Sequence, residues 1–170
     1  MDVFDAVRRR RSIRRFKKQQ IEEEKLAKVL EAARLSPSAC NLQPWRFIVI
    51  RKVEVKTRLR AAYDADWFVN APIIIVACAV PKEAWRRADG EEYWKVDVAI
   101  AMQSLILVAT ELGLGTCWIA SFNEKKTKKV LGIHSNWRVL AMTPLGYPAE
   151  EKGEVINRKP IQSVCSFFEQ

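Results

Sequence analysis

The sequence predicts an α+β fold in which a central sheet is flanked by helices, and three observations carry this prediction. Residues 21–35 repeat apolar side chains at helical spacing. Residues 47–50 and 73–80 are rich in β-branched side chains, which are typical of buried strands. Residues 94–112 are apolar on nearly every side, which indicates a central helix packed all round.

The first two helices follow from capping residues and apolar spacing. Asp2 can cap a short helix that has three apolar residues at helical spacing. The helix at residues 21–35 begins with a run of Glu residues, where a helix N-terminus favours negative charge. Pro37 cannot continue its hydrogen-bond ladder, so we expect a loop from there to Trp45.

The remaining elements alternate between strand and helix. In order they are a strand at 47–50, a short helix at 53–63, a strand at 73–80, a helix at 94–112 that Gly113 ends, a helix that Asn123 caps and that runs through Leu131, and a strand at 137–145. The whole chain, 1–170, is expected to form one domain that buries roughly 70% of the surface its unfolded form exposes.

Composition and charge favour an anionic partner without choosing one. The chain has 29 Lys and Arg against 20 Asp and Glu, a net charge of +9. Its longest apolar stretches, 71–81 and 98–110, are shorter than the ~18 residues that a membrane-spanning helix needs. We therefore expect no membrane insertion, and nucleic acid remains an alternative at this point.

The cysteines predict neither a metal site nor disulfides. The four Cys residues are far apart, with no C-x-x-C pair, and His134 is the one histidine. Small buried hydrophobic residues are the simpler interpretation of these cysteines. The N-terminus has acidic residues where an export signal has its apolar segment, so a reducing, cytoplasmic location is expected.

An arginine cluster near the start is the first candidate binding site. Six of the residues 8–15 are Arg. If residues 10–14 are extended, Arg10, Ser12 and Arg14 share one face. Two guanidinium groups and a hydroxyl suit one phosphate and the polar chain attached to it. A solvated basic surface is the alternative that charge alone leaves open.

Two loops are further candidates. Residues 36–47, SPSACNLQPWRF, combine small side chains with Asn41 and Gln43, whose amides both donate and accept hydrogen bonds. Such a loop can approach a flat ligand closely, or it can be a capped turn with Trp45 in the core. Residues 111–123, ELGLGTCWIASFN, have two glycines at a bend that can present backbone N–H groups.

Five motifs in order give the chain a family resemblance over nearly its whole length. They are R-R-S-I-R-x-F, A-A-R-x-x-P-S-x-x-N-x-Q-P-W, D-x-A-I-A-x-Q, G-L-G-x-x-W-I and P-L-G-Y-P. Together they resemble the nitroreductase family of FMN-dependent oxidoreductases. The resemblance implies a mixed, mainly antiparallel central sheet flanked by helices, in an intertwined homodimer with the helix at 94–112 near the interface.

The resemblance also implies which residues contact FMN. In the first motif, the contacts with phosphate, ribityl chain and ring come from Arg10, Arg11, Ser12 and Arg14, with Arg14 near flavin N1 and O2. In the loop that reaches the site from the partner subunit, they come from Pro37, Ser38, Ala39 and Asn41, and from Gln43 nearby. Backbone N–H groups near flavin N5 and O4 come from Ala120 and Ser121, and a further phosphate contact comes from Arg158.

Two departures from the family pattern accompany these assignments. Many relatives have Glu-Gly or Gly-Gly where this chain has Ala120 and Ser121, and Ile156 replaces a second basic residue. No side chain is assigned as catalytic, since substrate protons can come from water. Asp97 and His134 are given no role.

The implied activity is a two-step hydride transfer. NADH or NADPH reduces FMN, leaves, and is replaced by a small acceptor such as a nitroaromatic or quinone. The segment between Ala79 and Trp94, which borders the pocket in relatives, is small here. A family-fold flavoprotein with another role, such as dehalogenation, flavin cleavage or flavin binding only, is one alternative. A basic nucleic-acid-binding protein is the other, but distant loops that match the arginine cluster disfavour it.

Overall fold

A four-stranded sheet forms the centre of the fold, which the computed structural model describes for residues 1–168. The strands are β1 (Trp45–Ile50), β2 (Ile73–Ala79), β3 (Gly115–Thr116) and β4 (Arg138–Gly146), in the order β1-β2-β4-β3. All three strand pairs are antiparallel, and a parallel bridge joins Ser12 to Thr116 on the open side of β3. The predicted α+β class with a mixed, mainly antiparallel sheet is confirmed.

The helices of the described residues flank this sheet. They are α1 (Val3–Arg9), α2 (Glu23–Arg34), α3 (Val53–Arg58), α4 (Asp66–Val69), α5 (Trp94–Glu111) and α6 (Glu124–Leu131). The helix predicted at 53–63 is shorter, because α3 gives way to a 3₁₀ turn at Leu59–Ala61. None of the helices in residues 1–168 is long and apolar enough to cross a membrane.

The core lies on both faces of the sheet, with β2 buried throughout. On one face Ile75 and Ala77 pack against α2 and α5; on the other, Ile74 and Val76 pack against Leu59 and its neighbours. This explains why β2 is an unbroken apolar run rather than an alternating one. Helix α5 is the centre of the first cluster, but Val96 and Ile100 on its outer side are exposed, so within one chain it is not packed all round as predicted.

Helix α1 has the predicted cap but an unexpected surface. The Asp2 carboxylate accepts a hydrogen bond of 2.7 Å from the backbone N–H of Asp5. However, Val3 is 75% exposed and Phe4 is 70% exposed, and Ala6 is the buried residue of this helix. The apolar spacing therefore predicts the helix but not a packing partner within the same chain.

The chain after α1 is pressed against β3. The N–H of Ile13 donates to the carbonyl of Thr116 at 2.8 Å. A Cβ atom built on Gly115 would lie 2.8 Å from Cβ of Ile13, closer than such atoms approach in proteins. Glycine at 115 is thus the residue that lets residues 10–14, the arginine segment, lie alongside the sheet.

We predict that Gly115→Ala separates this segment from β3. The added methyl group overlaps the Ile13 side chain, so the free energy of unfolding should fall by about 1–3 kcal/mol. Urea denaturation measures this change. Gly153→Ala is the matched control, because a Cβ there has no neighbour within 4 Å; its effect should stay within about 0.5 kcal/mol. Equal stabilities of the two variants would contradict the prediction.

Candidate functional site

The arginine segment is extended and presents two faces. Arg11 and Ile13 line a cleft of about 230 Å³ that also includes Lys152. Because successive side chains of extended backbone alternate, Arg10, Ser12 and Arg14 lie on the other face. Arg10 and Ser12 are half-buried there and Arg14 is exposed. The structure therefore brings these three predicted residues together and separates Arg11 from them.

The guanidinium groups of this segment are largely uncompensated. Arg8 pairs with Glu154 at 3.0 Å. Within residues 1–168, no ion pair involves Arg10, Arg11 or Arg14. Like charges held this close repel one another, and an anion bound among them relieves the repulsion. The segment therefore has the charge and the free donors of an anion receptor.

Two residues from the far end of the chain fix the backbone of this segment. The Glu150 carboxylate accepts a hydrogen bond of 2.6 Å from the N–H of Arg14. The Lys152 ammonium donates to the carbonyl of Ser12 at 2.7 Å and lies 3.1 Å from Glu150. The Arg14 N–H and the Lys152 charge together lower the pKa of Glu150 below its usual value of 4.5. Sequence reasoning missed both residues.

The turn at residues 37–43 has an unusual backbone. Cys40 has φ 50°, Asn41 φ 54° and Gln43 φ 49°, so three residues other than glycine are in the left-handed region. Asn tolerates this conformation, but Cys and Gln rarely adopt it. The Ser38 hydroxyl accepts from the Gln43 N–H at 2.9 Å, and the Gln43 amide donates to Asn41 Oδ1 at 3.1 Å. Such strain persists where the surrounding structure enforces it.

The predicted residues of this turn are accessible. Pro37, Asn41 and Gln43 are exposed. Ser38 and Ala39 are half-buried. The turn therefore presents its amide side chains outward, away from the core of its own chain.

Asp97, to which sequence reasoning gave no role, anchors this turn. Its side chain is 1% exposed in the first turn of α5, and its Oδ1 accepts from the N–H of Ala39 at 2.9 Å. Its Oδ2 is buried and has no hydrogen-bond partner within the described residues. A carboxylate among the apolar residues of this helix, away from its exposed last residue Glu111, is the sequence signal that could have identified it.

The other predicted residues lie in two exposed segments. Ala120 and Ser121 follow a bridge between Ile119 and Met142, and both are exposed. No backbone carbonyl of residues 1–168 accepts from the N–H of Ala120 or Ser121. Arg158 is exposed on the chain that follows Glu154.

The arginine segment and the turn lie at opposite corners of the sheet. The pairing register runs Trp45–Ala79–Arg138 at the end beside the turn and Ser12–Thr116–Leu145 at the other end. Four strand spacings separate the two corners by about 19 Å, and Arg138 and Leu145 are about 23 Å apart along β4. The diagonal is about 30 Å, so one chain does not bring the two parts of the predicted site together.

Comparisons with known proteins agree on one family. The model of the family described as the Nitroreductase family matches residues 7–63 and 60–147. An NADH dehydrogenase of Thermus thermophilus is 32% identical over 195 aligned residues, with 96% of this chain and 95% of that protein covered.

Solved structures agree as well. A nitroreductase family protein from Clostridium novyi NT is 38% identical, with a TM-score of 0.83 and coverage of 88% of this chain and 87% of that one. An FMN-dependent nitroreductase from Clostridium difficile R20291 is 30% identical, with a TM-score of 0.84 and coverage of 98% and 99%.

We predict that Glu150→Gln removes a pH-dependent part of the stability. A carboxylate whose pKa is lowered on folding stabilises the fold above its unfolded pKa of 4.5, and this stabilisation is lost as the pH falls through the folded pKa. The wild-type protein should therefore melt above the variant at pH 6, and the difference should shrink below about pH 5. Thermal melts from pH 3 to 7 measure it.

The control is Glu151→Gln, because Glu151 is exposed and forms no ion pair within residues 1–168. This variant should follow the wild-type melting curve across the range. A Glu150→Gln difference that stays constant with pH would show that the carboxylate does not titrate with the fold.

Proposed function

The chain belongs to the nitroreductase family, and from that premise we propose that it is an FMN-dependent oxidoreductase. It transfers hydride from NADH or NADPH to a small acceptor such as a nitroaromatic or quinone. The relatives named an NADH dehydrogenase and an FMN-dependent nitroreductase support this proposal. The observation that carries it is the face formed by Arg10, Ser12 and Arg14, whose guanidinium groups have no anion within the described chain.

The donor set of this face fits FMN. Two guanidinium groups bind phosphate oxygens, and the Ser12 hydroxyl both donates to and accepts from a polyol chain. When bound, FMN supplies the hydride-transfer chemistry that no side chain of this protein provides. Arg10 and Ser12 bind it, Lys152 holds the carbonyl of Ser12, and Glu150 holds the N–H of Arg14.

Arg14 has a second task in this proposal. Its guanidinium lies 5.7 Å from the centre of the Trp67 ring, and its backbone is held by Glu150. A cation fixed there stabilises negative charge that develops on the ring system during reduction. We expect Arg14 to raise the reduction potential of the bound flavin.

A second copy of this chain completes the site. The turn at residues 37–43 is too far from its own arginine segment, so the partner subunit supplies it. Large apolar side chains remain exposed on α1, on α5 and near the C-terminus, and a partner subunit can bury such surface. They are Val3, Phe4, Val7, Val96, Ile100, Ile156, Ile161, Val164, Phe167 and Phe168. An intertwined homodimer covers them.

The remaining assignments follow the same proposal. The N–H groups of Ala120 and Ser121 are available to an acceptor on the flavin, and Arg158 provides a further cation for the phosphate. The segment at 80–93 borders the acceptor site, because the N–H of Val80 donates to the carbonyl of Pro44 beside the turn at 2.9 Å. Trp85 and Tyr93 meet there edge to face, 5.1 Å apart, and suit a planar acceptor.

Purified protein tests the function directly. We expect flavin absorption bands, a dimer in sedimentation velocity, and NADH or NADPH oxidation that depends on added quinone or nitroaromatic. Dilution should release FMN as the dimer dissociates. Each outcome follows from a site that two chains build around one flavin.

The rival functions give other results. A protein that carries flavin without acceptor-dependent turnover serves another role on the same fold. A colourless protein with salt-sensitive affinity for DNA or RNA is a nucleic-acid-binding protein. A flavin-loaded monomer would contradict the shared site.

We predict that Arg14→Met lowers the reduction potential of bound FMN. The loss of one charged contact, worth about 1.5–3 kcal/mol, corresponds to about 30–60 mV for a two-electron couple. Dye-equilibration titration measures the potential. The matched control is Arg15→Met, because Arg15 is the exposed neighbour on the alternate face. An unchanged potential in Arg14→Met with FMN still bound would remove this role.

A further inference from the structure

The carboxylate of Asp97 is the least explained polar group in the described chain. It is 1% exposed, it lies in the first turn of the apolar helix α5, and Oδ2 has no hydrogen-bond partner within residues 1–168. Within residues 1–168, the one hydrogen bond of this carboxylate is with the turn, where Oδ1 accepts from the N–H of Ala39 at 2.9 Å. The reaction proposed above uses no group at this position.

Stability alone does not account for this residue. Burying a carboxylate is unfavourable, and leaving one of its oxygens unpaired adds to that cost. An apolar side chain of similar volume would pack in α5 without either cost, as Val98 and Ala101 do nearby. Violations of this kind are expected where function requires them.

The contact is made at the point where the turn needs support. Ala39 directly precedes Cys40 and Asn41, which are both in the left-handed region. Inside the turn, the Ser38 hydroxyl holds the N–H of Gln43 at 2.9 Å. Asp97 anchors the strained turn to helix α5 from outside, and Ser36, directly before the turn, donates to the Ser104 hydroxyl of the same helix at 2.8 Å.

We propose that Asp97 is a positioning residue that holds the turn at residues 37–43 in the shape that contacts FMN in the partner subunit's site. The inference rests on the proposed function for the identity of the ligand. It goes beyond that function by assigning the task to a side chain that touches the turn and not the cofactor. The turn is held by Oδ1 of Asp97 as a hydrogen-bond acceptor, and not by the negative charge of the carboxylate.

Two substitutions of Asp97 separate the acceptor from the charge. Asp97→Leu removes the acceptor, and the Kd for FMN, measured by quenching of flavin fluorescence, should rise about tenfold or more. Asp97→Asn keeps Oδ1 as an acceptor, and its Kd should stay within about threefold of wild type. At saturating FMN, the visible circular dichroism of the bound flavin should change in Asp97→Leu and not in Asp97→Asn.

A destabilised control separates positioning from general loss of stability. Ile74 is fully buried in the cluster on the opposite face of the sheet, so Ile74→Val lowers the melting temperature without touching the turn. Its Kd for FMN and its visible circular dichroism should match the wild type. A Kd that rises equally in Ile74→Val would show that Asp97→Leu weakens FMN binding only by destabilising the protein.

The same bond can be removed from the turn. Ala39→Pro deletes the N–H donor, and Ser38 before it already has the extended backbone, φ −140° and ψ 158°, that precedes proline. Ala39→Pro should raise the Kd for FMN as much as Asp97→Leu does. It therefore tests the role of this hydrogen bond if Asp97→Leu does not fold. Wild-type affinity in either variant, or an Asp97→Asn variant as weak as Asp97→Leu, would overturn the proposal.

Hydrogen exchange distinguishes this proposal from the proposed function. The turn amides of Asp97→Leu should exchange at least about tenfold faster than those of wild type, with or without FMN. If the wild-type protein binds no FMN, the proposed function fails while this measurement still reports on the anchor. Unchanged exchange in Asp97→Leu refutes the anchor itself.

Discussion

The constraint on which the site depends is the diagonal of the sheet. The arginine segment extends the β3 edge at one end, and the turn precedes β1 at the other end of the opposite edge. These corners are about 30 Å apart, farther than one small ligand reaches. Antiparallel pairing of β1, β2 and β4 fixes that distance, so no loop movement within one chain closes it. A site that uses both corners requires two chains.

Several features that are unfavourable in a single chain become intelligible under this constraint. Uncompensated guanidinium groups, a left-handed turn, a buried unpaired carboxylate oxygen and exposed apolar side chains each reduce the stability of an isolated subunit. They belong to the arginine segment, to the turn, to helices α1 and α5, and to the chain near the C-terminus. The core around β2, in contrast, is regular and fully packed. The packed sheet thus stabilises the subunit, whereas the features at its corners destabilise it.

Local patterns predicted most helices and strands and the position of the loop before Trp45. Contacts between residues distant in sequence were not predictable. The bounds of α2, α5, α6 and β2 fall within about two residues of the predicted ones, which rest on apolar spacing in α2, on apolar runs in α5 and β2, and on the Asn123 cap in α6. The four residues of α4 are too few to show a period. Glu150 and Lys152 reach the arginine segment from the far end of the chain, and no local pattern records such a contact. Asp97 was visible as an exception in an apolar helix, but its partner Ala39 was not.

Helix α5 contacts the core, the 37–43 turn and the surface proposed for the second subunit, so it couples FMN binding to dimerisation. Its buried face builds the core, its first turn holds the 37–43 turn through Asp97, and its outer face bears Val96 and Ile100 at the surface proposed for the second subunit. If FMN binds between the arginine segment of one chain and the turn of the other, its binding free energy adds to that of dimerisation. Linkage then requires that FMN strengthens the dimer by the same factor by which dimerisation tightens FMN binding. The anchors at Glu150, Lys152 and Asp97 favour both at once, because they fix the two corners before either ligand or partner arrives.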